Sequence, residues 1–427
     1  SNKKTELEDT LVKKSIVVEE RSPEKEAVAS VLEDILRAGA RQMLQAAIEN
    51  EVTEYLERYR HMTDGEGHRL AVRNGSLPAR TIITGIGPIA MRQPRVDDRK
   101  LRRKGHEPFT SRILPRYLRR VPSIDNLIPV LYLKGVSTGD FSEALAAILG
   151  PGAAGLSATN IVRLKASWEA DYQEWSRRDL SDKEYVYFWA DGIHFNVRLD
   201  DDRMCILVII GADQEGNKEL VAVGDGYRES TTSWKEVLLD LRRRGLKNAP
   251  RLATADGGLG FWAALGEVFP RCREQRCWVH KTANILDKLP KSMQSKAKGP
   301  IHDMYHAENK EAALKAYDHF VEIYEDKYPK AVACLEKDQD VLFTFYDFPS
   351  VHWVHIRSTN PIESTFATVR HRTKRTKGCG SRTATLTMVF KLALEAQKTW
   401  KKLRGYAMIP LVLENRVFIN GELQEAA

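Results

Sequence analysis

Three acidic residues stand where a carboxylate could hold a metal. Asp191 lies in Phe188-Trp189-Ala190-Asp191-Gly192, Asp256 in Ala253-Thr254-Ala255-Asp256-Gly257-Gly258, and Glu363 in Thr359-Asn360-Pro361-Ile362-Glu363-Ser364. The first two close apolar runs that read as buried strands; the third opens what reads as a helix. Hard divalent ions such as Mg²⁺ take oxygen ligands from a few carboxylates and leave positions for water and substrate phosphates. A pair of such ions clamps the attacking and leaving oxygens of a phosphodiester displacement, so nucleic-acid chemistry is the first hypothesis. Each Asp-Gly alone is a weak signal, because the same dipeptide is common in turns. Asp191 differs in its setting: six apolar residues precede it and alternation continues through Ile193, Phe195, Val197 and Leu199. An acid inside a buried strand is costly unless paired, hydrogen-bonded or metal-bound. Asp225-Gly226 also follows a strand, but Tyr227-Arg228-Glu229-Ser230 reads as an exposed connection.

The elements that must position these acids follow from periodicity. Tyr185–Ala190 is a continuous apolar run, Cys205–Ile210 a second strand and Leu220–Val223 a third. A helix over 231–245, with Ser233 as its candidate cap, precedes a short strand at 251–255; a helix through Phe261, Leu265 and Val268 precedes a fifth strand at 274–279. Three meandering strands, helix, strand, helix, strand is the order of a ribonuclease H-like core, which would set Asp191 beside Asp256. Residues 281–350 read as an all-helical insertion. The helix bearing Glu363, capped by Asn360 with Pro361 at its first position, resumes the core.

The domain boundaries expected from these patterns begin with a flexible arm at 1–24 and a helical dimerisation or DNA-binding segment at 25–68. A basic strand- and turn-rich segment follows at 69–122, then a helix-turn-helix-like DNA-binding domain at 123–180. The catalytic core is assigned to 181–280 and 351–405, split by the insertion at 281–350, with a tail at 406–427. The fold class is thus multidomain α+β, with mostly helical segments before a mixed α/β core.

Charge points the same way. The 427 residues carry a net charge of +8, which favours an acidic partner such as nucleic acid or a membrane surface. No apolar run reaches the ~18 residues of a membrane span. Five scattered cysteines suit a reduced, cytoplasmic setting better than a disulfide framework. Between Arg92 and Arg120 eleven Lys or Arg face three acids, and Arg102, Arg103 and Lys104 there are candidate DNA contacts. Arg163 and Lys165, on the second helix of the helix-turn-helix-like pair, are candidates too, unless that pair merely packs. After Glu363, Arg370, Arg372, Lys374, Arg375, Lys377 and Arg382 form an acid-free run read as a pliable phosphate-binding loop, with Arg357 a weaker candidate. Trp262 and Trp353 suit either base stacking or core packing.

Four motifs carry a resemblance. Residues 187–195, 255–262, 274–284 and 359–370, with Arg73-Asn74-Gly75 and Lys134–Asp140, strongly resemble bacterial Mutator-type insertion-sequence transposases over about 30–405. The resemblance implies that Asp191, Asp256 and Glu363 are Asp-Asp-Glu metal ligands for two Mg²⁺ ions, with Mn²⁺ substituting. It implies binding of double-stranded DNA (terminal inverted repeats and target), strand cleavage, transfer of a 3′-hydroxyl, and work as a homodimer or higher oligomer. It also covers Cys277 and His280, either as support for the active site near the scissile phosphate or as local packing. Half of a zinc site, completed by His302 and His306, is the third option. Rival readings are a catalytically silent sequence-specific DNA-binding protein and a metal-dependent nuclease or resolvase that cuts without joining ends.

Overall fold

In the computed structural model, residues 23–133, 158–195, 204–226, 229–375 and 381–424 are described, with Ala147 and Leu149. Packing divides them into two units, one up to Leu131 with Ala147 and Leu149, and one of Tyr132, Leu133 and the residues from Ala158 onward.

The first unit is built on a 36-residue helix, α1 (Pro23–Arg58). Strands β1 (Val72–Ser76) and β4 (Pro94–Asp97) pair antiparallel, and β2 (Arg80–Thr84) and β3 (Gly87–Met91) form a hairpin. Gly87 lies at φ 101° in that turn, where a side chain would be strained. Ile48 of α1 packs on Ile82, Ile89, Met91 and Leu114. Glu51 fastens α1 to the chain beyond α2 (Arg99–Arg102), accepting from Ser111 Oγ and, at 2.6 Å, from the Arg112 amide. Towards its start α1 leaves Val31, Leu32, Ile35 and Leu36 exposed. Helix α3 (Pro122–Leu133) follows. The expected helix-turn-helix turn, around 135–156, falls outside the described residues apart from Ala147 and Leu149.

The second unit holds a five-stranded mixed sheet in the order β7-β6-β5-β8-β9. Strands β5 (Tyr185–Phe195), β6 (Met204–Asp213) and β7 (Lys218–Gly226) are an antiparallel meander; β8 (Leu252–Ala255) and β9 (Arg273–Arg276) run parallel to β5. Alternation along β5 explains its central place. Tyr187 and Trp189 enter one core; Phe188 and Ala190 enter the other. Helices α5 (Thr231–Arg243) and α6 (Leu259–Val268) cover the second face through Trp234, Leu238, Phe261 and Leu265. Helix α4 (Ala158–Ser176) joins the opposite face: Trp168 is buried there, and the Tyr172 hydroxyl donates to the Val223 carbonyl at 2.8 Å. The same core takes in the helices α7 (Trp278–Leu286), α8 (Lys291–His306), α9 (Lys310–Tyr324), α10 (Pro329–Glu336) and α11 (Gln339–Leu342). It also contains α12 (Trp353–Ile356), α13 (Asn360–Arg375) and α14 (Arg382–Gln397).

The structure corrects several boundaries. Ser230, not Ser233, caps α5, its Oγ accepting from the Ser233 amide at 3.2 Å. The fifth strand stops at Arg276, so Cys277 lies at a helix start rather than in a strand, with His280 in that helix's first turn. Residues 370–375 continue α13 instead of forming a loop. The expected tail is packed: Ile409 of α15 (Ile409–Leu413) is buried, and the Gly421 amide donates to the Tyr346 carbonyl at 3.0 Å.

Candidate active site

The parallel register of β5 and β8 ends with Ala190 opposite Ala255, so the next residues, Asp191 and Asp256, emerge side by side. Asp191 is 6% exposed, and its Oδ1 accepts from the Gly192 amide at 2.8 Å. Burial pushes its carboxyl up to about 7; Asp256 and Glu229 add to that, while His280 and the Gly192 bond oppose it. Beyond β8 the chain turns through Gly257 at φ 82°, and Asp256 Oδ1 accepts from the Gly258 amide at 2.9 Å.

Glu363 arrives from the other side. The Cys277 amide donates to the Ala255 carbonyl at 2.8 Å and the Trp278 amide to the Arg357 carbonyl at 3.0 Å, which locks the start of α7 between β8 and the approach to α13. Thr359 is the centre of this junction. Its amide donates to Cys277 Sγ at 3.3 Å, and its hydroxyl lies 3.3 Å from Cys277 Sγ, 3.3 Å from Glu363 Oε1 and 3.4 Å from His280 Nδ1. With one proton, that hydroxyl serves one acceptor at a time. The helix therefore starts on Thr359, whose carbonyl accepts from the Glu363 amide at 3.1 Å, and Asn360 is already inside it.

His280 Nδ1 is 3.9 Å from Glu363 Oε1. A hydrogen bond to Cys277 raises its pKa to about 9 against the effect of burial, and the charges of Cys277, Asp191 and Glu363 add to it. Burial resists ionisation of Cys277, yet bonds from His280 and Thr359 carry its thiol below the ordinary value. An imidazolium thus stands among the acids. Cys277, His280 and Glu363 offer ligand atoms within 4.8 Å of one another; neither His302 nor His306 joins them among the described residues. The three acids Asp191, Asp256 and Glu363 do not form such a group among the described residues. Charge on His280 links Asp191 and Glu363 instead.

A fourth carboxylate was not singled out in the sequence. Glu229 belongs to a connection expected to be exposed, yet only 22% of its side chain is open. Its Oε1 lies 3.2 Å from His194 Nε2, and with Cys205 these residues make a second group within 4.8 Å. Burial, then Asp256, raises its pKa, with His194 and His280 opposing. A Cβ on Gly192 would collide with the Glu229 carboxylate. The available signal was that missing side chain, just after Asp191.

Against this geometry, the sequence model of the family described as Transposase, Mutator family matches residues 11–403. The chain belongs to the Mutator family of transposases. It is 50% identical over 302 residues to the transposase for insertion sequence element IS6120 of Mycolicibacterium smegmatis, covering 71% of this chain and 93% of that one. It is 54% identical over 265 residues to the transposase for IST2 of Acidithiobacillus ferrooxidans, covering 60% and 87% respectively. The transposase for IS256 in transposon Tn4001 of Staphylococcus aureus is 26% identical over 81% of this chain and 85% of its own length.

For a transposase, the basic residues expected to meet DNA divide sharply. Arg357 is turned inward: its guanidinium donates to the Tyr305 carbonyl at 2.6 Å, meets His306 Nδ1 at 3.4 Å and covers the Tyr305 ring. Arg382 forms a two-pronged pair with Asp225, at 3.0 and 2.7 Å. Arg370 is exposed on α13. Arg372, Lys374 and Arg375 lie on the same helix, their side chains outside the described set along with that of Arg163; Lys377 lies outside altogether. Lys165 is half-buried. In the first unit Arg102 pairs with Asp98 at 2.9 Å, while Arg103 and Lys104 are exposed. Trp262 and Trp353 pack in cores, Trp353 donating to the Phe348 carbonyl at 2.8 Å. No helix among the described residues is long and apolar enough to cross a membrane.

Proposed function

We propose that this transposase binds the terminal inverted repeats of an insertion sequence, cleaves DNA strands at the element ends and transfers the freed 3′-hydroxyl to target DNA. The centre is Asp191, Asp256 and Glu363, carried on a ribonuclease H-like core with a helical insertion. The carrying observation is a nine-tenths buried carboxylate on the central strand, adjacent in register to a second carboxylate. Nothing apolar would hold such a pair in place.

The donors suit a hard divalent cation. They are carboxylate oxygens, and among the described residues the one hydrogen bond accepted by Asp191 comes from its neighbour Gly192. Asp191, Asp256 and Glu363 would hold Mg²⁺, with Mn²⁺ substituting. When bound, such cations activate a water or 3′-hydroxyl toward phosphorus and stabilise the leaving 3′-oxygen. His280, kept protonated by Cys277, presents a cationic N–H donor to a phosphate oxygen, and Thr359 fixes its ring relative to Glu363. Arg370, exposed on α13, grips the backbone beside the acids. Two element ends must be paired, so the working form is at least a dimer.

Asp191→Asn tests the reading on duplex DNA bearing the element end. Mg²⁺-dependent nicking and strand transfer are expected to be lost while gel-shift affinity for the end stays within about threefold, the scale of a change that adds no phosphate contact. Metal-dependent cleavage retained by this variant refutes the assignment. Cutting without joining in the wild-type chain would favour the nuclease reading.

A further inference from the structure

We propose that Glu229 is a fourth carboxylate of the cation-binding centre, facing Asp256 so that the two share a divalent cation. The inference rests on the metal-dependent reading above and deepens it.

Glu229 reaches the centre through the face of the sheet opposite Asp191. Alternation along β5 sends Asp191 to the side of Tyr187 and Trp189, and Gly192 and His194 to the side of Phe188 and Ala190. Any side chain at Gly192 would fill the space the Glu229 carboxylate occupies. Its Oε1 is engaged by His194. Its Oε2 points elsewhere: a Cβ built on Gly258 would lie 3.6 Å from Glu229 Oε2 and 3.3 Å from Asp256 Oδ1. The two oxygens therefore converge on the same glycine. Asp256 thus has a carboxylate on each flank, Asp191 by strand register and Glu229 across Gly258.

Two carboxylates beside one glycine and sheltered from solvent repel unless a cation lies between them. His194, half exposed, engages only the other oxygen, Oε1. Two oxygens from two carboxylates, with solvent and phosphate completing the shell, is the donor set a hard divalent ion takes. Two glycines, Gly192 and Gly258, leave room beside these acids. A role limited to anchoring His194 would not require Oε2 to face Asp256.

Mn²⁺ binding to the full-length chain, read by the electron paramagnetic resonance of free Mn²⁺ without DNA, separates the alternatives. Asp256→Asn is expected to remove measurable binding. Glu229→Gln, which keeps shape and removes charge, is expected to weaken binding about tenfold or more with an unchanged melting temperature. His194→Ala is expected to stay within about threefold of wild type, well short of a lost ligand. Wild-type affinity in Glu229→Gln together with loss in Asp256→Asn overturns the inference alone. A His194→Ala effect equal to that of Glu229→Gln also overturns it, because Glu229 would then act through His194. Absence of binding in the wild-type chain, or no effect of Asp256→Asn, brings down the metal-dependent reading itself.

Discussion

Adjacent residues of α7 serve two opposite electrostatic regions of the second unit. His280 faces the acids; Lys281, 1% exposed, turns the other way to Asp338 at 2.8 Å, where Arg276 Nε also meets Asp338 at 3.0 Å. The Cys334 carbonyl takes another Lys281 proton. There one acid answers two cations, and although burial resists its ionisation, Lys281 and Arg276 hold Asp338 below the ordinary carboxylate range. Around His280 the balance is reversed: four carboxylates face two imidazoles, and Asp191 is driven up to about 7. The Lys281 side is satisfied by the chain itself, whereas on the His280 side carboxylates outnumber imidazoles. Local frustration of this kind collects at functional sites.

Neutralising one acid on each side should break the symmetry of the comparison. Asp338→Asn strands two buried cations and is expected to lower unfolding stability by about 3–5 kcal/mol, measured by urea denaturation. Asp191→Asn should act in the other direction. Its folded pKa lies above the unfolded value near 3.9, so ionisation opposes folding: the contribution is most favourable below about pH 4 and is lost as pH rises toward 7. At pH 8 with chelator present, the variant is expected to be more stable than wild type by about 2 kcal/mol. A destabilised Asp191→Asn would mean the charge is already compensated, and the contrast with Asp338 would fall.

A buried and a half-buried histidine extend the satisfied side. His352 Nδ1 meets the Tyr187 hydroxyl at 2.7 Å, and His355 Nε2 accepts from the Arg404 amide at 3.0 Å. Burial, helped by the positive charge of Lys218, holds His355 down to about 4. The unfolded imidazole titrates near 6.5, so the unfolded chain binds the extra proton first. The stability is full above that value and is lost as pH falls from 6.5 through 4. Between pH 7 and 4.5, wild type is expected to lose about 1–2 kcal/mol more than His355→Gln, by denaturant titration at each pH. Parallel curves would remove His355 from the account.

The strand order was legible because short unbroken apolar runs such as Tyr185–Ala190, bounded by turn residues, suit a strand covered on both faces, and the register that follows from it ends at Ala190 and Ala255, one residue before each aspartate. Junctions were less legible. Cys277 was expected in a strand, but its amide bonds the Ala255 carbonyl just where β9 ends and α7 begins. Glu229 could not be recognised from its own neighbours, since its place depends on the bare backbone of Gly192. The packed C-terminal segment was missed for a related reason: two-residue strands have no periodicity, and Asn420 and Gly421 are held by bonds to Lys310 and Tyr346. Composition marked the cations after Glu363 as one run, whereas tertiary partners divide them.

That division yields the smallest expected effect and the finest test of a clamped against an exposed cation. Arg382 and Asp225 are about one-third exposed, so Arg382→Ala should cost no more than about 1 kcal/mol, shrinking as salt is added. Its guanidinium presents two donors to one carboxylate, a geometry phosphate can match only by displacing Asp225. Arg370 lies exposed over the Phe366 ring at 5.8 Å. In salt titrations of DNA binding, Arg370→Ala is expected to reduce the log–log slope by about 1, and Arg382→Ala to leave it unchanged. An equal drop in both would mean that DNA displaces Asp225. Arg382 would then belong with the unmatched charges of the active site, and the contact holding α14 to β7 would release when DNA binds.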